Sequence, residues 1–219
     1  MNQTPDTQTT ARPRGSEDIW LDAAYEVLTT SGVEAVKVMP LARKLGLTRT
    51  GFYWHFADRE ALLDAMIARW EAKNTGNLVS RCEAYGETIT EAMFNLFDCW
   101  FDDALFDSPL DLAIRNWARN DPALQARVEQ ADARRQGAVA AMFQRFGYAR
   151  DEANVRAMTV LFTQIGYIST GAAPRGADRL SRTPLYVEVF TGRRPSPSEI
   201  DRFFARHGGS GAPAPAQLA

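Results

Sequence analysis

Cysteine and histidine are scarce in this chain of 219 residues, with two of each. Cys82 and Cys99 have no histidine near them at metal-ligand spacing, which argues against a zinc site. Neither His55 nor His207 has a serine or cysteine partner suggested by spacing, which argues against a histidine-assisted nucleophile. A phosphate-cradling glycine loop is missing too, since HGGSG at 207–211 leads into no helix. We therefore expect no enzyme activity, no catalytic or metal-ligating residue and no cofactor. No apolar run approaches the ~18 residues of a membrane span. The opening MNQTPDTQTTARPRG has no apolar stretch of a secretory signal, so a cytoplasmic protein with reduced thiols and no membrane partner is expected. A basic excess is also lacking. The net charge is −2, so composition makes no global case for nucleic acid.

What remains is ordinary globular material, 45% hydrophobic and 24% charged, and its periodicity is helical. Residues 1–15, with Pro5, Pro13 and Gly15, read as a disordered arm. Ser16 caps a helix whose apolar rows are Ile19, Ala23, Val27 and Trp20, Ala24, Leu28, ended by Ser31-Gly32. A short helix follows over 38–45, stopped by Gly46, with Pro40 tolerated in its first turn. Thr48 caps a third helix through Phe56, and Asp58 opens a fourth. Further helices are predicted over 89–105, from Ser108-Pro109 to Ala118, from Asp121-Pro122 to Phe146, over 151–169, and from Ser196-Pro197 to Arg206. Residues 171–184 read as a loop, 185–190 as either helix or strand, and the GGSGAPAPAQLA tail as disordered. No segment alternates with a two-residue period and no repeat is visible. The chain reads as all-α.

One stretch, LARKLGLTRTGFYWHF, carries a local chemistry. From Ala35 to Ala57 the charged residues are Lys37, Arg43, Lys44 and Arg49, with no carboxylate, so a basic patch sits inside an acidic protein. Two short helices joined by a glycine turn are a helix-turn-helix, whose second helix can enter a major groove. Phe52 and Phe56, four apart, can face the core. Arg49, Thr50, Tyr53 and Trp54 fall elsewhere on the cylinder. Arg49 can read a guanine edge, while Tyr53 and His55 can hydrogen-bond phosphate.

Residues 16–70 resemble the DNA-binding domain of the tetracycline-repressor-like (TetR) transcriptional regulators. The resemblance runs through IWLDAAYEVLTTSG, LARKLGLTRTGFYWHF and ADREALLDAM. Its most specific block is G-L-T-x-x-x-x-Y-x-H-F, followed by a basic residue, Glu and Ala-Leu. It implies base contacts from Arg49 and Thr50, phosphate contacts from Tyr53 and His55, and a groove-facing Trp54, with Thr48 at the cap. Arg59 stands where the family most often has Lys, near the DNA backbone. Lys37 stands where a Ser or Thr cap is usual, so a hydroxyl contact there gives way to a salt-sensitive amine. The family likeness also implies a double-stranded DNA operator, a homodimer and a small-molecule effector.

The expected organisation is an arm at 1–15, a three-helix DNA-binding domain at 16–60, a larger helical ligand-binding and dimerisation domain at 61–207, and a tail at 208–219. Ligand candidates are the rings Phe97, Trp100, Phe101, Trp117, Phe143 and Phe162 with the polar Arg115, Asn116 and Gln164; the competing reading makes the same rings plain core. Arg115, between apolar Ile114 and Trp117, needs an anion, either an internal carboxylate (Asp111 or Asp98) or an acid group on a ligand. The apolar residues of 154–169, Val155, Met158, Leu161, Phe162, Ile165 and Ile168, lie on more than one side and suit both a core and a partner subunit. The reading is a ligand-responsive repressor that binds a pseudo-palindrome as a dimer and is released by an apolar, aromatic molecule. The alternative is a helical small-molecule-binding or interaction protein whose helix-turn-helix no longer binds DNA.

Overall fold

Capping side chains and glycines set the helix boundaries of the amino-terminal region. The computed structural model describes residues 16–172 and 176–208, so the expected arm at 1–15 and the tail beyond Gly208 lie outside the described residues. Helix α1 (Glu17–Ser31) begins where Ser16 Oγ accepts the Ile19 amide at 3.4 Å, and it buries Trp20, Leu21, Ala23, Ala24 and Leu28. Ile19, read as part of an apolar row, is instead exposed at 44%. After a single 3₁₀ turn (Val33–Ala35) come α2 (Val38–Leu45), α3 (Arg49–Phe52) and α4 (Arg59–Trp70). The third helix is shorter than the expected run to Phe56. The His55 amide reaches back only three residues, to the Phe52 carbonyl at 2.9 Å, so the chain tightens into a turn after one helical turn.

The chain divides into two compact units, one ending at Ala68 and the other starting at Arg69. The expected boundary at 60/61 falls earlier, at the start of α4. That start is tied into the first unit by Arg59, whose Nε and Nη2 donate to the Val36 and Val33 carbonyls at 2.6 and 2.8 Å.

In the second unit the helix after Trp70 loosens to a π-helical stretch (Glu71–Gly76) and runs directly into α5 (Asn77–Glu83). Then follow α6 (Ile89–Phe101), α7 (Ser108–Ala118), α8 (Pro122–Arg145), α9 (Arg150–Thr170), α10 (Gly176–Thr191) and α11 (Pro197–His207). Among the described residues there is no strand, and the fold is all-α. No helix among them is long and apolar enough to cross a membrane. The core is drawn mainly from α6, α8 and α9, with Met93, Leu96, Val139, Phe143, Ala157 and Val160 among its residues. Cys82 on α5 and Cys99 on α6 are buried and free.

Two boundaries depart from expectation. Helix α6 ends at Phe101, not 105, because residues after Asp102 turn back, with the Leu105 amide on the Asp102 carbonyl at 2.9 Å. Residues 173–175 of the expected loop lie outside the described residues, but from Gly176 the segment is helical through Thr191 with Pro184 inside it. The apolar spacing explains this: Leu180, Thr183, Val187 and Phe190 are all buried at helical intervals, and their packing outweighs the amide that Pro184 lacks. The segment 185–190 is therefore helix.

Candidate nucleic-acid interface and ligand cleft

The turn of the helix-turn-helix is built at Gly46, whose φ of 65° lies in the left-handed region that glycine adopts without steric cost. Thr48 Oγ1 then accepts the Gly51 amide at 3.0 Å and starts α3. Phe52 is fully buried and meets Trp20 edge to face, ring centroids 5.3 Å apart, while Phe56 packs against Phe52 at 5.4 Å. These two rings anchor the short helix. Their neighbours are left outside: Tyr53 is 45% and Trp54 67% exposed.

Arg49 and Thr50 are exposed at the start of α3, and His55 is half-buried behind them. Arg49 folds back on its own helix. Its Nε and Nη2 donate to the Tyr53 hydroxyl at 3.2 and 3.0 Å, and its guanidinium lies over the Tyr53 ring. Lys37 is exposed at the N-cap of α2 and makes no side-chain cap bond, as a residue without an acceptor must. Lys44, on the same short helix, pairs with Glu26 at 2.6 Å, which neutralises part of the basic patch. Arg59, expected near the DNA backbone, is occupied by the Val36 and Val33 carbonyls and a contact to Glu60 at 3.4 Å.

In the second unit, α6, α9 and α10 leave a cleft with about 460 Å³ of free space, its open mouth included. Of the residues expected to hold a ligand, Phe97, Trp100, Phe101 and Gln164 line it. Five others do not. Phe143 is fully buried on α8, edge-on to Tyr148. Phe162 is 59% exposed, because it stands one position round α9 from the buried Leu161. Asn116 is exposed and Trp117 half-buried on α7, away from the lining. Arg115 belongs to a buried charge network. The lining that sequence reasoning missed comes from α9 and α10: Thr163, Tyr167, Arg179, Thr183, Tyr186 and Phe190, with Val160 at the base. The signal that would have revealed α10 is the helical spacing of its apolar residues across Pro184.

That network decides the role of Arg115. Its Nε donates to Asp111 Oδ2 at 2.7 Å, and its two terminal nitrogens donate to Asp132 at 2.8 and 2.7 Å. Of the two internal carboxylates considered, Asp111 is the partner. Asp98 instead pairs with His207 at 2.7 Å and Arg206 at 3.2 Å. Fully buried Asp111 also accepts from Trp70 Nε1 at 2.8 Å and from Arg135 Nη1 at 3.1 Å. Burial pushes the Asp111 carboxyl up, but Arg135 and Arg115 outweigh it and hold the group below its ordinary value. Arg135 is itself buried, with Nε on Thr75 at 2.9 Å and its guanidinium over the rings of Trp70 and Phe106. With Trp100 and Gln164, which also line the cleft, it borders a second, smaller recess.

Comparison with known proteins bears on both units. A family model described as bacterial regulatory proteins, tetR family, matches residues 21–66. The tetracycline repressor protein class A from transposon 1721 of Escherichia coli is 36% identical over 61 residues, 28% of either chain. The class D tetracycline repressor of the same organism is 41% identical over 54 residues, 25% of either chain. The matched stretch thus spans only about a quarter of these curated relatives. The solved structure of AmtR from Mycobacterium smegmatis is similar over 94% of this chain and all of its own, with a TM-score of 0.61 and 17% identity. At that identity the likeness speaks for the fold alone, and it extends through the second unit. Helix-turn-helix geometry and matched motif agree: residues 21–66 are similar to the bacterial regulatory proteins of the tetR family, within an all-helical fold like that of AmtR.

Proposed function

We propose that this protein is a transcriptional repressor that binds a pseudo-palindromic site in double-stranded DNA as a homodimer and is released by a small, apolar, aromatic effector held in the α6–α9–α10 cleft. The observation that carries the reading is the short α3, capped by Thr48 and pinned by buried Phe52, with Arg49, Thr50, Tyr53 and Trp54 left facing solvent. Such a helix end presents amides and a partial positive charge to phosphate, and side chains to base edges. In this reading Arg49 and Thr50 reach bases, while Lys37, Tyr53 and His55 reach the backbone. Arg59 braces α4 and adds charge nearby.

Dimerisation is supported by an apolar face with nothing over it. Val155, Met158 and Phe162 on α9, spaced three and four apart, are 63%, 40% and 59% exposed, and Leu185 and Val189 on α10 are 50% and 72% exposed. Exposed apolar residues at helical spacing on two helices support an association surface, and one helix-turn-helix reads too few bases to be selective alone. An effector that binds the DNA-competent and DNA-incompetent forms unequally then shifts the balance between them.

The test is selection of bound fragments from the source genome, followed by titration of the selected duplex at several salt concentrations. Binding should be two-fold symmetric and weaken steeply with salt. Arg49→Ala should relax base preference by roughly 1–3 kcal/mol. Tyr53→Phe should disturb base reading as well as affinity, because the lost hydroxyl is the resting partner of Arg49. Retention of no duplex at low salt would favour an interaction protein that has lost DNA binding.

A further inference from the structure

The cleft is walled by rings, and its single charge is Arg179. No carboxylate lines it. The Arg179 guanidinium lies 4.8 Å from the centroid of the Phe101 ring, stacked on one wall. Other arginines of the second unit withdrawn from water have partners: Arg115 holds Asp111 and Asp132, Arg127 holds Glu71, Arg145 holds the Cys82 carbonyl and Arg156 holds the Phe190 carbonyl. The Arg179 guanidinium makes neither a hydrogen bond nor an ion pair among the described residues; the backbone carbonyl is engaged, accepting from Thr183 Oγ1 at 2.9 Å. The charge of Asp103 reaches it only through space, while burial draws its pKa down. A guanidinium has five donors and stays protonated in proteins, so partial burial without an acceptor is unfavourable until one arrives.

We infer that the cleft selects planar aromatic monoanions, one or two rings bearing a carboxylate, and that Arg179 is the residue that pairs with the acid group. The inference rests on the reading of the cleft as the effector site and names the chemistry of that effector. The rings of Trp100, Phe101, Tyr186 and Phe190 supply flat apolar walls for an aromatic body. Thr163 and Gln164, also in the lining, can orient the remaining polar edge. A guanidinium matches a carboxylate with two parallel hydrogen bonds, which a neutral amide cannot reproduce. This moves the acid-binding role from Arg115, whose donors are filled internally, to a residue on α10.

The experiment uses the whole 219-residue chain and two matched probe pairs, benzoate with benzamide and 2-naphthoate with 2-naphthamide. Binding is followed by Trp fluorescence and by release of the selected duplex, in the wild type, Arg179→Gln, Arg179→Lys and the cleft-filling Thr163→Trp. An acid should bind tighter than its amide by about tenfold or more, as expected for a charge-assisted pair. Arg179→Gln should abolish that difference by weakening acid binding, Arg179→Lys should keep part of it, and Thr163→Trp should remove all binding. If amides match acids in the wild type, or Arg179→Gln binds acids undiminished, while Thr163→Trp still blocks both, the cleft stands and the anion assignment is overturned. If no probe binds, or all bind Thr163→Trp unchanged, the cleft reading falls and the inference with it.

Discussion

The two units of this chain treat polar groups in opposite ways. In the unit ending at Ala68, the described residues bury apolar side chains such as Trp20, Leu28, Leu41 and Phe52, and its charges lie at or near the surface. In the unit from Arg69 onward, Asn74, Thr75, Asp98, Asp111, Arg135 and Glu199 are buried, each with named partners. In the proposed function the first unit meets a polyanion, which calls for hydrated, movable donors, and this unit keeps its polar groups outside and folds on caps and rings. A bundle that keeps a cleft open must resist collapse, and buried hydrogen-bonded charges tolerate few alternative packings. Interior polarity in the second unit therefore accompanies a cavity, and its absence among the described residues of the first accompanies exposed polar and aromatic side chains on α3.

The largest expected effect is the loss of Asp111. Asp111→Ala leaves Arg115 and Arg135 without their shared carboxylate and should destabilise the second unit by about 3–5 kcal/mol. The pairing Asp111→Leu with Arg135→Met should recover most of this, and urea unfolding followed by Trp fluorescence measures both. A single-variant cost below about 1 kcal/mol would break the contrast between the units.

Acid should expose the same difference on a smaller scale. The carboxyls of Asp111 and Glu199 are held below their ordinary values of 3.8 and 4.5. Groups with depressed folded pKa contribute stability that is complete above the unfolded values and is lost as pH falls through the folded ones. Urea midpoints should therefore hold steady down to about pH 5 and fall below it, by at most about 1.4 kcal/mol per pH unit for each such group. Asp111→Asn should flatten that slope. The first unit, with no buried carboxylate among its described residues, should contribute little to it.

The smallest effect sharpens the other side. Thr48→Ala removes the cap of α3 and should lower thermal stability by about 1 kcal/mol, with Thr48→Ser retaining most of it. A loss as large as that of Asp111→Ala would mean that the first unit also depends on one polar tie.

How far the sequence could be read follows the same division. Ser16, Thr48 and Asp121 announced their helices because a cap acts within three residues, and Gly46 announced its turn for the same reason. Asp107, not the expected Ser108, caps α7, a shift of one residue within the same device. The cleft was half legible. Phe97, Trp100, Phe101 and Gln164 lie on helices of plain periodicity, whereas Arg179, Thr183 and Tyr186 sit on a helix disguised by Pro184 and neighbouring glycines. Arg115 shows the limit most clearly. Asp111, one turn away, was foreseeable as a partner, but Asp132 comes from α8, and only the packed bundle brings it within 2.7 Å.

The two cysteines turn this packing into a clock. Burial raises the Cys82 thiol well above its ordinary value and pushes Cys99 up to about 12, so neither is a thiolate in the closed bundle at neutral pH. Alkylation must wait until α5 or α6 lifts away and a sulfur meets solvent. With no exposed cysteine in the chain to compete, the rate of labelling counts openings of the second unit directly. A molecule that lodges beside Trp100, next to Cys99 on α6, would make itself known by slowing that clock, without a duplex, a dye or an engineered residue.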